Sequence, residues 1–486
     1  MNTTKITNDR YLEYNQRQAK ESLKLSKILI FFLLILETFL GVLYLDSKNG
    51  NELSAIGGFL LLNFCWLLVS WKFISGKIVS SFFFIIVFLY VLHFGQVIVD
   101  GIFPYYTYDY LDYVQVYMRD YVLRQKTIMV CFLCINLLFL GGTVEQTFFN
   151  GKGKDNVALN NSFLYRTNIK IIFIISFVFR FTLDCVQLYK AIYEGYSGAI
   201  GVSFSGVFSA IAGIWYAIVP LMYLCVSDSK KKKFALMCVF YMAVTMLTGN
   251  RGHQFTSILM LVIVIITNNK KKIAFFQFIK YLFLGYISMC FLDIIFAMRA
   301  YGINYFFNNF VECISDSLKA NILLETVGTF GETIYTPYLT IAGYGTKFQP
   351  FFGECFFKSI VSIVPDVFGV FTDVNNAAIF AKNLGTQNAI GGSFVGELYY
   401  GFGELYPVFA IGFGIFFAKI SKNIERKIKQ RNIAGLWFEI PFMTYSFWLM
   451  RDCVGNFVRP IVWYALLYLL TNLMLENKKC YYKKQF

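Results

Sequence analysis

Apolar positions along the chain fall into long unbroken blocks. They do not show the alternating pattern of a half-buried strand or the one-sided stripe of a soluble helix. Such blocks cover 28–45, 53–71, 78–99, 127–149, 171–192, 207–226, 234–248, 254–267, 273–296, 404–420, 433–450 and 460–475. Crossing a hydrocarbon core takes about 20 apolar residues in a helix. The pattern therefore predicts an all-α polytopic membrane protein of about twelve spans, with both termini on one side. The runs 234–248 and 254–267 are short and read either as two spans or as one re-entrant hairpin. Residues 1–27 form a polar, basic tail followed by an apolar run without a small-residue cleavage site, so the first block reads as an anchor. The expected organisation is a tail (1–27), nine helices (28–296), a long external segment (297–403), three helices (404–475) and a second tail (476–486).

Composition agrees: 57% of residues are hydrophobic, 19% aromatic and only 15% charged. Soluble domains carry about 25% charged residues, so a soluble enzyme or a nucleic-acid-binding domain is excluded. The net charge of +15 has a topological explanation. With twelve spans, the loops on the side of the termini hold 30 Lys and Arg against 12 on the other side. That asymmetry marks the first side as cytoplasmic and leaves no basic surface for nucleic acid. The eleven cysteines lie mostly inside apolar runs, among them Cys65, Cys185, Cys225, Cys238 and Cys290, and read as small buried hydrophobes. Cys131-x-x-Cys134 reads as one face of a membrane helix, with no second pair to complete a metal site.

The external segment breaks the rule of short connections. Phe306, Phe307, Phe310, Val311, Ile314 and Leu318 share one helical face, and 351–364 is similar, so both predict helices lying at the interface and roofing a cavity. The sequence has no G-x-x-x-x-G-K-[ST], H-E-x-x-H or G-x-S-x-G motif, and only two histidines, His93 and His253. No metal ligand set and no cofactor are therefore expected.

The candidate chemistry is a group of arginines and carboxylates near external span ends. Arg251 sits in Thr248-Gly-Asn-Arg-Gly-His253 between two short apolar runs; Arg299 follows the ninth run; Arg451 and Arg459 flank the last external loop. Planar, permanently charged guanidinium groups suit a diphosphate, and each also has a plain reading as an interfacial anchor. Arg299 in that reading pairs with Asp293. The stretch from Gly391 to Glu404 is dense in glycine and carries Glu397, the embedded carboxylate and first candidate for a general base, with His253 second. Further carboxylates are Glu325, Glu332, Glu354, Asp366 and Asp373. Tyr335, Tyr338, Tyr399 and Tyr400 can stack on sugar rings, although interfacial belts also favour tyrosine.

Taken together, Leu247-Thr-Gly-Asn-Arg-Gly252, the long external segment, Gly391-Gly-Ser-x-x-Gly-Glu-x-Tyr-x-x-Phe-Gly403 and Arg451-Asp452 resemble the O-antigen (repeat-unit) polymerase, Wzy-type, family over nearly the whole chain. The resemblance implies a fold similar to the membrane-embedded lipid-phosphate-sugar glycosyltransferases. It also implies metal-independent transfer of a growing glycan from undecaprenyl diphosphate to a new lipid-linked repeat unit, on the external face of the bacterial plasma membrane. In that reading Arg251, Arg299, Arg451 and Arg459 bind the diphosphate, Glu397 or His253 takes the acceptor proton, and Tyr399, Tyr400 and Glu332 contact sugar. The partners implied are the lipid-linked oligosaccharide, membrane lipids and a chain-length regulator protein. Three alternatives share much of this pattern. An O-antigen ligase has the same donor and a different acceptor; a lipid-linked oligosaccharide flippase or transporter has as many spans; a scaffold of an export complex has no site.

Overall fold

The computed structural model describes residues 3–77, 79–106, 112–149, 162–200, 202, 206–248, 252–269, 321–346, 352–361 and 391–485, with residue 363 and isolated positions between 285 and 315. Fifteen helices are used below. The first eight are α1 (Thr3–Asp46), α2 (Leu53–Ser75), α3 (Ser81–Ile102), α4 (Tyr121–Thr147), α5 (Ser162–Ile200), α6 (Gly206–Cys225), α7 (Asp228–Met246) and α8 (Gly252–Asn268). Three short helices follow: α9 (Ile322–Gly331), α10 (Tyr335–Gly343) and α11 (Glu354–Val361). The last four are α12 (Phe394–Phe402), α13 (Tyr406–Lys429), α14 (Glu439–Leu449) and α15 (Val454–Gln485). The described residues contain no strand, and the protein is an all-α polytopic membrane protein.

Among the described residues, seven helical stretches are long and apolar enough to cross a bilayer: Lys24–Asp46, Leu53–Ser75, Ser81–Ile102, Tyr121–Thr147, Gly206–Cys225, Phe394–Lys429 and Val454–Glu476. The expected run 171–192 lies inside α5, 234–248 begins inside α7 and runs two residues past its end, and 433–450 contains the short helix α14. The run 273–296 falls almost entirely outside the described residues. Helices α7 and α8, of 19 and 17 residues, rise about 28 and 25 Å at 1.5 Å per residue, but α7 opens on Asp228 and four lysines and α8 is shorter than the stretches above.

Backbones approach closely where glycine removes the side chain. A Cβ on Gly414 of α13 would lie 2.0 Å from the Leu138 carbonyl oxygen of α4, and one on Gly141 of α4 would lie 2.2 Å from that of Ile411. Helices in lipid gain no hydrophobic drive from meeting, so such small-residue contacts supply the dispersion energy that holds them. The outward face is apolar instead: Phe32, Leu36, Phe39 and Leu43 of α1 recur at helical spacing and are all at least half exposed. Cys65 and Cys185 belong to that outward surface too, which corrects the reading of them as buried; Cys131 and Cys134 are fully buried.

The long segment between α8 and α13 does more than rest on the surface. Gly331 at the end of α9 meets Gly95 in the middle of α3, so closely that a Cβ on Gly331 would sit 2.1 Å from the Gln96 nitrogen. Helices α9 and α10 are thereby packed into the bundle. Among the described residues of this segment, α11 keeps apolar side chains outward through Phe357 and Ile360.

Candidate functional site

The site is built where α9, α10, α12 and the α14–α15 turn converge. Gly331, pressed on α3, is followed directly by Glu332, whose carboxylate lies 2.5 Å from the Arg451 guanidinium. Their side chains are 26% and 27% exposed, so the pair is reachable from outside. The second strip comes from Gly391-Gly392-Ser393. Gly392 packs against the backbone of Asp452 and Cys453, where a Cβ would come within 2.5 Å. Thr336 of α10 donates to the Gly391 carbonyl at 2.8 Å, and the Phe394 amide donates to Met450 at 3.4 Å. Backbone contacts thus fix the start of α12, which bears Glu397, against the turn that bears Arg451.

Ser393 is the N-cap of α12, accepting from the Gly396 amide at 3.2 Å. Its hydroxyl is also 2.7 Å from Nε2 of His93, a fully buried residue of α3. The other ring nitrogen, Nδ1, faces the Leu89 carbonyl at 2.8 Å. A carbonyl only accepts, so Nδ1 carries the proton and Nε2 accepts from Ser393. One histidine therefore orients the cap of the helix that carries Glu397.

A tyrosine cluster flanks the ion pair. Tyr113 and Tyr117 lie on a single π-helical turn and pack against Tyr335, with ring centroids 5.3, 5.1 and 5.9 Å apart; Tyr338 stacks on Tyr335 at 6.0 Å. Arg124, at the buried start of α4, holds this turn by donating twice to the Met118 carbonyl, at 2.8 and 2.6 Å. Burial, then the Glu332 carboxylate nearby, push the Tyr113 phenol above its usual range. Asp452 is buried and accepts from the Cys453 amide at 2.7 Å and Asn456 at 2.9 Å. Burial still raises its carboxyl above the usual range.

The structure joins some expected residues and separates others. Arg451 and Glu332 form the ion pair, and Glu397 lies in the first turns of α12 with only 4% exposure. Arg251, Arg299, Asp293, Asp366 and Asp373 lie outside the described residues, and so does the side chain of Glu354. Arg459 is half-buried on α15, and its Nε has no hydrogen-bond partner among the described residues. Tyr399 corrects an expectation: it is fully buried and its phenol donates to Glu404 at 3.0 Å, so it offers no ring face to a sugar. Tyr400 is half-buried beside Leu339 and Tyr344. Glu325 accepts from Tyr106 at 2.6 Å. His253 lies against the Tyr216 ring at 6.1 Å and the Trp448 ring at 4.3 Å. Its ring nitrogens make no hydrogen bond among the described residues, so no group there orients it as a base.

Beneath His253 is a polar network that the sequence analysis did not single out. Arg180 of α5 pairs with Asp184 one turn on and donates to Gln187 at 3.1 Å. Tyr241 of α7 donates to the other Asp184 oxygen at 2.5 Å, and the guanidinium lies 4.9 Å from the Tyr216 ring centroid. The signal was legible: Arg180, Asp184 and Gln187 share one face of an apolar helix, and ionisable groups at that depth seldom lack a role.

Comparison with curated proteins and with solved structures gave no match. The family model of the O-antigen polysaccharide polymerase Wzy matches residues 26–484, nearly the whole chain, and the chain belongs to that family of enzymes, which polymerise repeat units into O-antigen.

Proposed function

We propose that the repeat units arrive as undecaprenyl-diphosphate-linked oligosaccharides and are joined, without a metal, on the external face of the plasma membrane, with both termini cytoplasmic. The observation that carries this reading is the reachable Arg451–Glu332 pair, walled by tyrosines and fixed to the start of α12. In the transfer step the acceptor hydroxyl attacks the anomeric carbon of the donor. The bond from that carbon to the diphosphate oxygen breaks, and the hydroxyl proton passes to a carboxylate. Arg451 meets the charge that develops on the departing diphosphate, with Arg251, Arg299 and Arg459 as further candidate donors. Glu397 is the proposed base. Tyr113, Tyr117 and Tyr335 offer the ring faces for sugar, with Tyr400 and Glu332 beside them. A chain-length regulator is a proposed partner.

A second assignment of the base is favoured by exposure. Glu397 is 4% exposed, whereas the Glu332 side chain is 26% exposed and already lies beside the cation. The two are separated by lipid-glycan gels from a deletion strain complemented with Glu397→Gln or Glu332→Gln at matched abundance. Loss of the base should lower chain extension by about two to four orders of magnitude. A ladder collapsed to single repeats in one variant alone names the base. Full ladders in both refute a carboxylate base at this site.

A further inference from the structure

The end of the bundle remote from Glu332 and Arg451 holds a cavity of about 370 Å³ between the start of α5, the α6–α7 junction and the ends of α8 and α13. Its position follows from the helices: α8 starts with His253 beside Trp448, near the site, and ends at Asn268 in the cavity wall. The wall carries Arg166, Lys231, Lys429 and Arg431 against a single carboxylate, Asp228. That carboxylate is already bound to Lys231 at 2.7 Å. Arg166, Lys429 and Arg431 form no salt bridge among the described residues; Arg166 and Arg431 act on Asp228 only from a distance, and Lys429 lies beside another cation, Lys77.

Several other cations at this end are paired. Lys77 pairs with Glu425, Lys427 with Glu439 at 2.7 Å, and Lys422 with Glu145 at 3.5 Å. Arg166 comes from the start of α5, and Lys429 and Arg431 from the end of α13; the two stretches converge on one concavity, which a topological signal does not require. Two further features mark this cavity, the first of which adds positive potential. The N-terminus of α7 opens onto the cavity, and its N-cap Ser227 makes no side-chain cap bond. Arg431 is held at φ 56°, a left-handed backbone uncommon for a residue other than glycine.

We propose that this cavity binds a phosphate-bearing anion at the membrane surface, with Arg166, Lys429 and Arg431 as its charged contacts. Basic pockets between helix ends are where phosphate headgroups dock, and a soluble phosphate presents the same chemistry. The volume suits one headgroup or small phosphate, at the low end of the roughly 300–1,000 Å³ typical of ligand sites.

The test uses the full-length protein, delipidated and placed in nanodiscs of phosphatidylcholine with or without phosphatidylglycerol. Native mass spectrometry reads retained phosphatidylglycerol, and thermal melting reads added inorganic phosphate. Arg431→Gly is the first variant, because glycine accepts the left-handed backbone without strain. Arg166→Gln is the second, on an exposed helix position where the fold does not depend on it. Each should weaken binding roughly tenfold, the weight of one charge-assisted contact. Loss of retained phosphatidylglycerol alone identifies the ligand as lipid. Loss of a phosphate-dependent melting shift identifies it as a soluble phosphate. Wild-type behaviour from both variants overturns the proposal, and so does an equal loss from Lys230→Gln with Lys232→Gln and Lys233→Gln, which removes charge outside the cavity.

Discussion

The contact between α3 and α9 is the joint on which the site depends, and Gly331→Ala tests it. The added Cβ would meet the Gln96 nitrogen at 2.1 Å and the Gly95 carbonyl carbon at 2.7 Å, both backbone atoms that cannot rotate aside. Ordinary contact begins at 3.4 Å, so α9 must withdraw from α3 by about 1.3 Å. Glu332 is the next residue along the chain. The same displacement carried to its carboxylate stretches the 2.5 Å bond to Arg451 beyond hydrogen-bonding range. Overpacking of this kind costs typically 1–3 kcal/mol, which lowers the melting temperature yet leaves a folded, inserted protein. A misplacement of about 1 Å at a reacting centre costs up to a hundredfold in rate. The expected outcome is therefore normal abundance with ladders sharply shortened in the complemented deletion strain. Gly58→Ala and Gly412→Ala serve as controls, because a Cβ at either position meets nothing within 4 Å. Wild-type ladders from Gly331→Ala at matched abundance refute the dependence of the site on this contact. Ladders shortened equally by Gly58→Ala refute it as well.

Three further outcomes follow from individual groups. His93→Phe fills the space but leaves the Ser393 hydroxyl buried without its acceptor, a loss of about 1–3 kcal/mol in detergent melting, whereas His93→Gln restores an acceptor and recovers part of it. Asp452 has a raised carboxyl pKa, so the folded state holds the proton more tightly than the unfolded chain and wild-type stability falls as pH rises through that range. Asp452→Asn keeps the oxygen that accepts from Cys453 and Asn456, so its melting advantage over wild type should be larger at neutral pH than near pH 4; a pH-independent difference refutes the burial argument. Arg251→Lys keeps charge but loses the planar fork, so ladders should collapse to single repeats; full ladders at matched abundance return Arg251 to an anchoring role.

The spans were legible because a block of apolar residues is a one-dimensional signal. Their ends were less so. Helix α4 was expected from 127 and begins at Tyr121, because Asp120 caps it through Val122 and Leu123 at 3.0 and 3.1 Å. Arg124 also sits inside that first turn, which no reading of apolar runs admits, and the Met118 carbonyl makes it tolerable. The glycine density at 391–403 was legible, but what approaches it was not: the backbone of Asp452 and Cys453 at Gly392. The Glu332–Arg451 pair was beyond reach, since its members stand 119 residues apart on segments with no shared periodicity. The same holds for Tyr113 and Tyr117, whose single π turn leaves no pattern longer than itself. Tyr399 failed as a sugar platform for a different reason: alternate faces of a short helix look alike in sequence, and α13 covers the one that bears it.

The two arginine–carboxylate salt bridges among the described residues differ in a way that bears on which one works. Arg180 and Asp184 are 8% and 2% exposed, and every oxygen of the carboxylate is engaged, by Arg180 or by Tyr241. Removing one partner from such a buried pair costs about 3–5 kcal/mol, so no ligand competes for it cheaply. Its place is to hold α5 against α7 and to fix Tyr216, on which His253 rests. The Arg451–Glu332 pair is about a quarter exposed on both sides, in the range where an ion pair contributes only about 1 kcal/mol. On the proposed reading a diphosphate, with more charge than one carboxylate and several oxygens in bidentate reach, would displace Glu332 from Arg451 at little cost. The exchange would also leave Glu332 beside the bound donor without its ion pair, placed to accept from an incoming hydroxyl. On the proposed reading, the weaker pair is therefore the working one, and the buried pair is the frame that keeps it in place.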